Sequence, residues 1–312
     1  LSTIIFTPIL VLILNKICLK FNFLDLPNKR KTHSVPVPFS GGLTIGIVLL
    51  LNSFYLSVSN YEIFAFYVNI CFFSLIFLVF GFFDDLKTFS TNKKVLLILL
   101  ILFFIVLFTP NLILSELRFN YIFEKKFKLD IFSIPFTIFC IFMLFNALNF
   151  ADGKNGIAIG LSIFWLFYLL FKINNDILFV LLMLIVLLIL LFFNLKNKLF
   201  LGNSGVNFTS IFISLIIIKS YNVDNINLYC DEIFLLLYIP GIDAARVTIN
   251  RALKKKSPLS PDKTHLHHYL EKIFCTKLIW IIYIFLSILP ILLLNILENF
   301  FISIAISSLL YL

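Results

Sequence analysis

The chain has 312 residues, 61% hydrophobic and 13% charged, with a formal net charge of +9. Soluble domains run at roughly 45–50% apolar and about 25% charged, so a water-soluble fold of this length is excluded, whereas a bilayer accommodates such a chain at about 20 mostly apolar residues per spanning helix. The positive charge then needs no nucleic-acid partner, because Lys and Arg gather at the inner ends of membrane spans.

Charge-free stretches mark eleven candidate spans, at 1–15, 41–61, 63–83, 95–115, 131–151, 155–171, 177–195, 199–218, 233–242, 278–297 and 299–312. The chain opens on Leu1 rather than Met, and a few preceding residues are expected. Leu1 to Leu19 has no basic n-region and no small-residue cleavage site, which favours a spanning helix over a signal peptide. The ninth stretch is short and contains Pro240-Gly241. It reads as a broken helix continuing past Asp243 toward Arg251, a form tolerated at membrane depth only when buried or lining a cavity.

The connectors alternate in charge. Those at 20–40, 84–94, 152–154, 196–203 and 243–277 carry 18 of the 25 Lys and Arg residues, and those on the other side carry 6. The first set is therefore expected to be cytoplasmic, with the N-terminus outside. One outer connector alternates Phe119, Tyr121, Phe123, is interrupted by Glu124-Lys125-Lys126, then alternates Phe127, Leu129, Ile131. A period of two predicts a β-hairpin on the outer surface. The fold class expected is an all-α polytopic membrane protein of about 10–11 transmembrane helices, with a small extracytoplasmic β-hairpin and a broken ninth helix, in one domain over 1–312. The cysteines, Cys18, Cys71, Cys140, Cys230 and Cys275, are too scattered for a disulfide framework or a metal-ligand pattern.

The chemically capable residues all fall on the cytoplasmic side. They are Asp25-Leu-Pro-Asn-Lys-Arg-Lys31-Thr-His33 with Pro36, Pro38 and Gly41-Gly42; Gly81-Phe-Phe-Asp84-Asp85; Asn146-Ala-Leu-Asn149-Phe-Ala-Asp152-Gly153; Gly202-Asn203-Ser204-Gly205; and Asp243-Ala-Ala-Arg246 followed by Ser257 to His268. Five loops returning to one side are able to share one site. Asp84-Asp85 repel each other unless a cation or proton lies between them, and hard carboxylate oxygens suit Mg²⁺ shared with substrate phosphates. The plainer alternative is a helix-stop pair facing water. Asp152-Gly153 is either a further acidic ligand or an Asx-type turn closing a helix. His265-x-His267-His268 lacks a Cys or Glu at zinc-ligand spacing, and among the lysines and arginines of its loop it suits phosphate better. Gly202-x-x-Gly205 is weak evidence for a phosphate loop. Together these residues fit Mg²⁺-assisted chemistry on phosphates, which relies on positioning and charge neutralisation.

In order, the motifs resemble those of the polyprenyl-phosphate N-acetylhexosamine-1-phosphate transferases (glycosyltransferase family 4). The run D-L-P-x-x-R-K-x-H-x-x-P-x-P-x-x-G-G at Asp25–Gly42 is the longest match. G-F-x-D-D at Gly81–Asp85, N-x-x-N-x-x-D-G at Asn146–Gly153 and S-P-x-x-P-D-x-x-H-L-H-H at Ser257–His268 follow. The last is similar to the branch acting on UDP-N-acetylglucosamine with undecaprenyl phosphate. The resemblance implies attack of polyprenyl phosphate on the sugar-side phosphate of a UDP-N-acetylhexosamine, with release of UMP at the inner face of the cytoplasmic membrane. It implies catalytic roles for Asp84, Asp85 and Asp152, and Mg²⁺ (or Mn²⁺) at Asp84, Asp85 and Asn203. Substrate contacts would come from Lys31, His33, Asn146, Asn149, Arg246, His265, His267 and His268, and a homodimer is compatible. Whether an aspartate attacks covalently or only activates the lipid phosphate is left open by the resemblance. Two positions depart from the pattern, Asn203 and Asn155 standing where the family usually or often has Asp. A secondary transporter would also have broken helices, but its charges belong near the midplane. A catalytically degenerate homologue is the alternative that Asn203 raises.

Overall fold

The structure, a computed structural model, describes residues 2–27, 35–57, 61–87, 89–173, 177–223, 228–255 and 264–312. Its elements in chain order are α1 (Ser2–Lys20), β1 (Leu24–Asp25), β2 (Val37–Pro38), α2 (Ser40–Ser57), α3 (Tyr61–Leu86), α4 (Thr91–Phe108), β3 (Glu116–Phe119), β4 (Lys125–Lys128), α5 (Ser133–Ala151), α6 (Ile157–Leu170) and α7 (Ile177–Leu195). There follow α8 (Gly202–Asn222), α9 (Cys230–Leu236), α10 (Tyr238–Leu253), α11 (Leu266–Ile273), α12 (Ile279–Leu297) and α13 (Phe300–Tyr311). Helices α1, α7, α8 and α12, the length Tyr67–Leu86 within α3, and Asp130–Ala151, which includes α5, are long and apolar enough to cross a membrane; Ser40–Tyr55, α6 and α13 are shorter apolar helices. The chain is thus an all-α polytopic membrane protein with two small two-stranded sheets.

The chain divides into two compact units, each assembled from two separated segments: 1–88 with 158–213, and 89–157 with 214–312. In the first, α2 packs on α3 and α1, and α7 packs on α1 and α2. β1 pairs antiparallel with β2, Leu24 opposite Pro38. From β2 the chain bonds to the segment entering α8: Phe200 N–H donates to the Pro38 carbonyl at 2.9 Å, and Gly41 and Gly42 N–H donate to the Phe200 and Leu201 carbonyls at 3.1 and 3.2 Å. Here the glycines of three motifs meet. A Cβ on Gly42 would lie 2.5 Å from the Gly205 nitrogen, one on Gly205 would lie 2.9 Å from the Gly42 Cα, and one on Gly81 would lie 2.5 Å from the Asn203 carbonyl oxygen. Those contacts are closer than real Cβ atoms make, so the backbones of α2, α3 and α8 approach as near as they do only because these positions carry no side chain, the small-residue packing that membrane helices use.

In the second unit α5 packs on α4 and α10, while α12 packs on α9, α10, α11 and α13. The predicted hairpin is present as β3 and β4, with Glu116 opposite Lys128 and Phe119 opposite Lys125. Its turn lies at 120–124, so Lys125 and Lys126 belong to a strand rather than to the interruption. The reason is Asp231: its buried Oδ2 accepts backbone N–H groups from Asn120 (2.9 Å), Tyr121 (2.5 Å) and Ile122 (3.3 Å), which fixes the turn there. The helix break in the ninth stretch also moves. It falls at Leu237 (φ −100°, ψ 4°), between α9 and α10, and Pro240 sits in the first turn of α10. Proline has no N–H to offer and is harmless in a first turn, whereas inside a continuous helix it would cost a hydrogen bond.

The charge asymmetry and the position of α4 generate a topological prediction. In a background lacking the native cysteines, Ser90→Cys and Asn120→Cys, both at exposed positions on either side of α4, are expected to label oppositely in intact cells. A membrane-impermeant thiol reagent should reach position 120 and spare position 90. Equal labelling of both would overturn the orientation.

Candidate active site

The first unit holds the paired carboxylates. Asp84 is buried and Asp85 half-buried, one residue apart at the last turn of α3. Side chains at i and i+1 on a helix diverge, and Asp85 turns to α8. Its Oδ1 accepts the Asn203 N–H at 3.1 Å and its Oδ2 accepts the Ser204 N–H at 3.2 Å, while the Asn203 side chain also hydrogen-bonds it. Asp85 therefore caps α8 from another helix, placing negative charge where unpaired N–H groups and the helix dipole favour it. Gly202, at φ +67°, makes the turn into α8, and a Cβ there would also lie 2.7 Å from Asp85 Oδ2. The Gly202-x-x-Gly205 segment thus seats a carboxylate and crosses Gly42. Beside Asp85 is a cavity of about 150 Å³ lined by Phe23, Leu24, Phe39, Phe82 and Leu86, with Asn22 at its edge. Lys31 and His33 lie outside the described residues.

The donor set here fits Mg²⁺. Asp84 and Asp85 carry hard oxygens, the Asp85 carboxylate has four lone-pair sites against the three N–H groups of Asn203 and Ser204, and an asparagine donating through its amide nitrogen keeps its carbonyl oxygen. Among the described residues no group of three His, Cys, Asp or Glu side chains converges on a point. The donors therefore suit an ion that completes its shell from water and substrate phosphates, as Mg²⁺ does.

The second unit holds the remaining candidates. Asn146 and Asn149, one turn apart on α5, each donate an amide N–H to a carbonyl of their own helix, Phe142 at 2.7 Å and Phe145 at 2.8 Å. Asp152 is exposed and forms the C-cap of α5, its N–H donating to the Leu148 carbonyl at 3.1 Å. Gly153 follows because His267 lies against it: a Cβ at 153 would fall onto the imidazole. Lys154 pairs with Glu271 of α11, latching this turn to the histidine helix. The rings of His265 and His267 lie parallel, 5° apart in plane with centroids 5.7 Å apart, and His268 lies 4.2 Å beyond His267. His267 is 2% exposed, and its Nδ1 is buried with no hydrogen-bond partner among the described residues. Burial first, then His268 and His265, push its pKa down to about 3, so the ring is neutral at pH 7. His268 is lowered for the same first reason, with Lys154 adding to it.

Two of the expected substrate contacts also make bonds within the protein. His265 engages Asp243 through Nδ1 at 2.9 Å and Arg251 through Nε2 at 3.2 Å. Arg246 donates to Asp243 at 2.7 Å, to the Tyr311 hydroxyl at 2.6 Å and to the Thr264 carbonyl at 2.5 Å. The residues that the motifs did not single out for a role are Asp243, Arg251 and Tyr311. Asp243 and Arg251 carried a partial signal, as charges beyond a proline-broken span. Tyr311 carried none.

The family model for glycosyl transferase family 4 matches residues 66–221. Similar proteins include a probable undecaprenyl-phosphate N-acetylglucosaminyl 1-phosphate transferase of Bacillus subtilis (strain 168), 28% identical over 281 residues, covering 86% of this chain and 74% of that one. An undecaprenyl-phosphate alpha-N-acetylglucosaminyl 1-phosphate transferase of Thermotoga maritima is 27% identical over 258 residues, covering 81% and 74%. One of the same name from Escherichia coli (strain K12) is 24% identical over 298 residues, covering 87% and 75%.

The state of His267 generates a pH prediction. An unfolded histidine takes a proton near 6.5 and the folded one only near 3. Between those values the unfolded chain binds more protons, so stability falls as pH falls, at up to about 1.4 kcal/mol per pH unit for one proton. Thermal unfolding in detergent is expected to show a lower midpoint at pH 5 than at pH 7, with a shallower slope in His267→Gln. Identical slopes would mean that the buried ring does not titrate as its surroundings dictate.

Proposed function

As the chain belongs to glycosyl transferase family 4, we propose that it transfers N-acetylhexosamine-1-phosphate, GlcNAc-1-phosphate foremost, from a UDP-sugar to polyprenyl (undecaprenyl) phosphate at the cytoplasmic face of the inner membrane. An oxygen of the lipid phosphate attacks the sugar-side phosphorus of the UDP-sugar. The bond from that phosphorus to the bridging oxygen breaks, UMP leaves with that oxygen, and a polyprenyl-pyrophosphoryl sugar remains. This is a first membrane step in building a surface glycan.

The Asp85 cavity carries this reading: a carboxylate stands at an opening lined by Phe23, Phe39 and Phe82. Aromatic and leucine walls suit the first isoprene of a polyprenyl chain, and its phosphate would then lie beside Asp85. Two anions side by side repel unless a cation lies between them, which is the role these residues leave for Mg²⁺. When bound, Mg²⁺ supplies charge neutralisation to the phosphates, held by Asp84 and Asp85 with the Asn203 carbonyl oxygen beside them. Asp84 and Asp85 orient the lipid phosphate for in-line attack. For the sugar nucleotide, the chain offers the unpartnered Nδ1 of neutral His267, His268, and Asn146, Asn149 and Asp152 from the end of α5. Buried polar atoms rarely lack a partner, so a ligand group at His267 Nδ1 is the simplest completion. The relatives' names, each pairing undecaprenyl phosphate with an N-acetylglucosaminyl 1-phosphate transferase, support the same acceptor and transferred group.

The test is UMP release by purified protein given Mg²⁺, polyprenyl phosphate and UDP-N-acetylglucosamine in detergent, where no gradient exists. Turnover is expected only with the lipid present. Asp84→Asn and Asp85→Asn are each expected to lower turnover by about 10² or more while the proteins still purify folded, since an amide at 85 keeps one acceptor for α8. Near-native turnover in both would remove the pair from the mechanism.

Asn203 yields a separate expectation. Its amide now donates to Asp85; an aspartate there would face Asp85 as a second carboxylate and draw the ion in more strongly. Asn203→Asp is expected to shift the Mg²⁺ midpoint of activity to lower concentration. An unchanged midpoint would mean that position 203 does not touch the ion.

A further inference from the structure

Asp243 is 2% exposed, lies on α10, and belongs to none of the groups assigned to substrate or metal. Four donors converge on it. Oδ1 accepts from Arg246 (2.7 Å), from the Tyr311 hydroxyl (2.9 Å) and from the Leu266 backbone N–H (3.0 Å); Oδ2 faces His265 Nδ1 (2.9 Å). Leu266 opens α11, whose N-cap His265 supplies no side-chain cap of its own. The same carboxylate therefore starts α11 and holds the ring that precedes it.

The proton on that ring can be placed. Arginine only donates, and the Arg251 guanidinium lies 3.2 Å from His265 Nε2, so Nε2 is the bare nitrogen and Nδ1 carries the proton that Asp243 Oδ2 accepts. His265 is then pinned on both edges, with the Phe150 ring at 5.1 Å and the parallel His267 ring at 5.7 Å. Position passes from Asp243 to His265 to His267.

We propose that Asp243 is a positioning residue for sugar-nucleotide binding: it locks His265 in the Nδ1–H form and so sets the stack in which His267 and His268 meet the donor substrate. This rests on the sugar-nucleotide role proposed above for those two histidines.

Asp243→Asn separates this from mere bulk. An amide keeps the size and one acceptor for α11, Arg246 and Tyr311, but turns an N–H toward His265. The ring must then present a bare Nδ1, its proton moves to Nε2, and Nε2–H meets the Arg251 donor. Two donors then face each other, and the bond between the ring and Arg251 is lost. Arg251→Gln in the same background supplies a carbonyl to accept that proton.

The experiment combines substrate kinetics with ¹⁵N spectra of histidine-labelled protein in detergent. The wild type is expected to show a ring protonated at Nδ1, and Asp243→Asn to convert it to Nε2–H. The KM for UDP-N-acetylglucosamine is expected to rise about ten-fold or more, the cost usual for losing a ring-orienting partner, with the KM for polyprenyl phosphate within about two-fold. Asp243→Asn/Arg251→Gln is expected to regain most of that loss. Should the single variant fail to fold, the double variant carries the same test. An unchanged tautomer, an equal rise in both KM values, or a double variant no better than the single would each overturn the proposal. If the wild type releases no UMP from any UDP-sugar, the transferase reading falls, and the ring-nitrogen spectra still decide whether Asp243 sets the tautomer.

Discussion

Hydrocarbon offers no hydrogen-bond partner, and the polar groups of this chain are arranged around that constraint. Many hydroxyls within the helices turn back on their own backbone, among them Thr7 to Thr3, Thr44 to Ser40, Ser162 to Ala158, Thr209 to Gly205, Ser287 to Tyr283 and Ser307 to Ser303, at 2.6–2.9 Å. Such bonds let a polar side chain sit in an apolar setting without a second helix to receive it. Asn146 and Asn149 follow the same rule with one amide proton each.

Three aspartates obey the constraint differently, each by serving the backbone of an element it does not belong to. Asp85 of α3 takes the first N–H groups of α8, Asp243 of α10 takes the first of α11, and Asp231 of α9 takes three from the hairpin turn. An uncapped helix start under apolar packing leaves donors stranded, and a buried carboxylate without donors is costly in turn. Each resolves the other, and the chemistry is built on groups that the fold already requires. The glycines allow it: without the bare backbones at Gly42, Gly81 and Gly205, α8 would stand too far away for Asp85 to reach its start.

Much of this was legible in the sequence, because spans and motif residues depend on local composition. Among the described residues every charge-free stretch contains helix, and the hairpin follows from a period of two. What was misplaced depended on distant partners. Lys125 and Lys126 looked like a turn, yet the turn sits at 120–124 because Asp231, over a hundred residues on, gathers its N–H groups there. Pro240 looked like the break, but a proline marks where a helix begins as readily as where it stops. That His265 and Arg246 also serve internal bonds was not legible, because charge in a loop carries no sign of such use; their geometry around Asp243, with Tyr311 65 residues beyond Arg246, reveals it. Asn203 was visible as a departure, while its bond to Asp85 was not.

Assembly from separated segments also has a meaning in time. A chain emerges from the ribosome in order, and N-terminal parts fold first where they can. Here they cannot finish. Asp85 enters the membrane more than a hundred residues before the α8 nitrogens that it caps, and Asp243 precedes Tyr311 by nearly seventy. The early segments must therefore wait, inserted but incomplete, with their acids unanswered, until the late helices arrive to close both units.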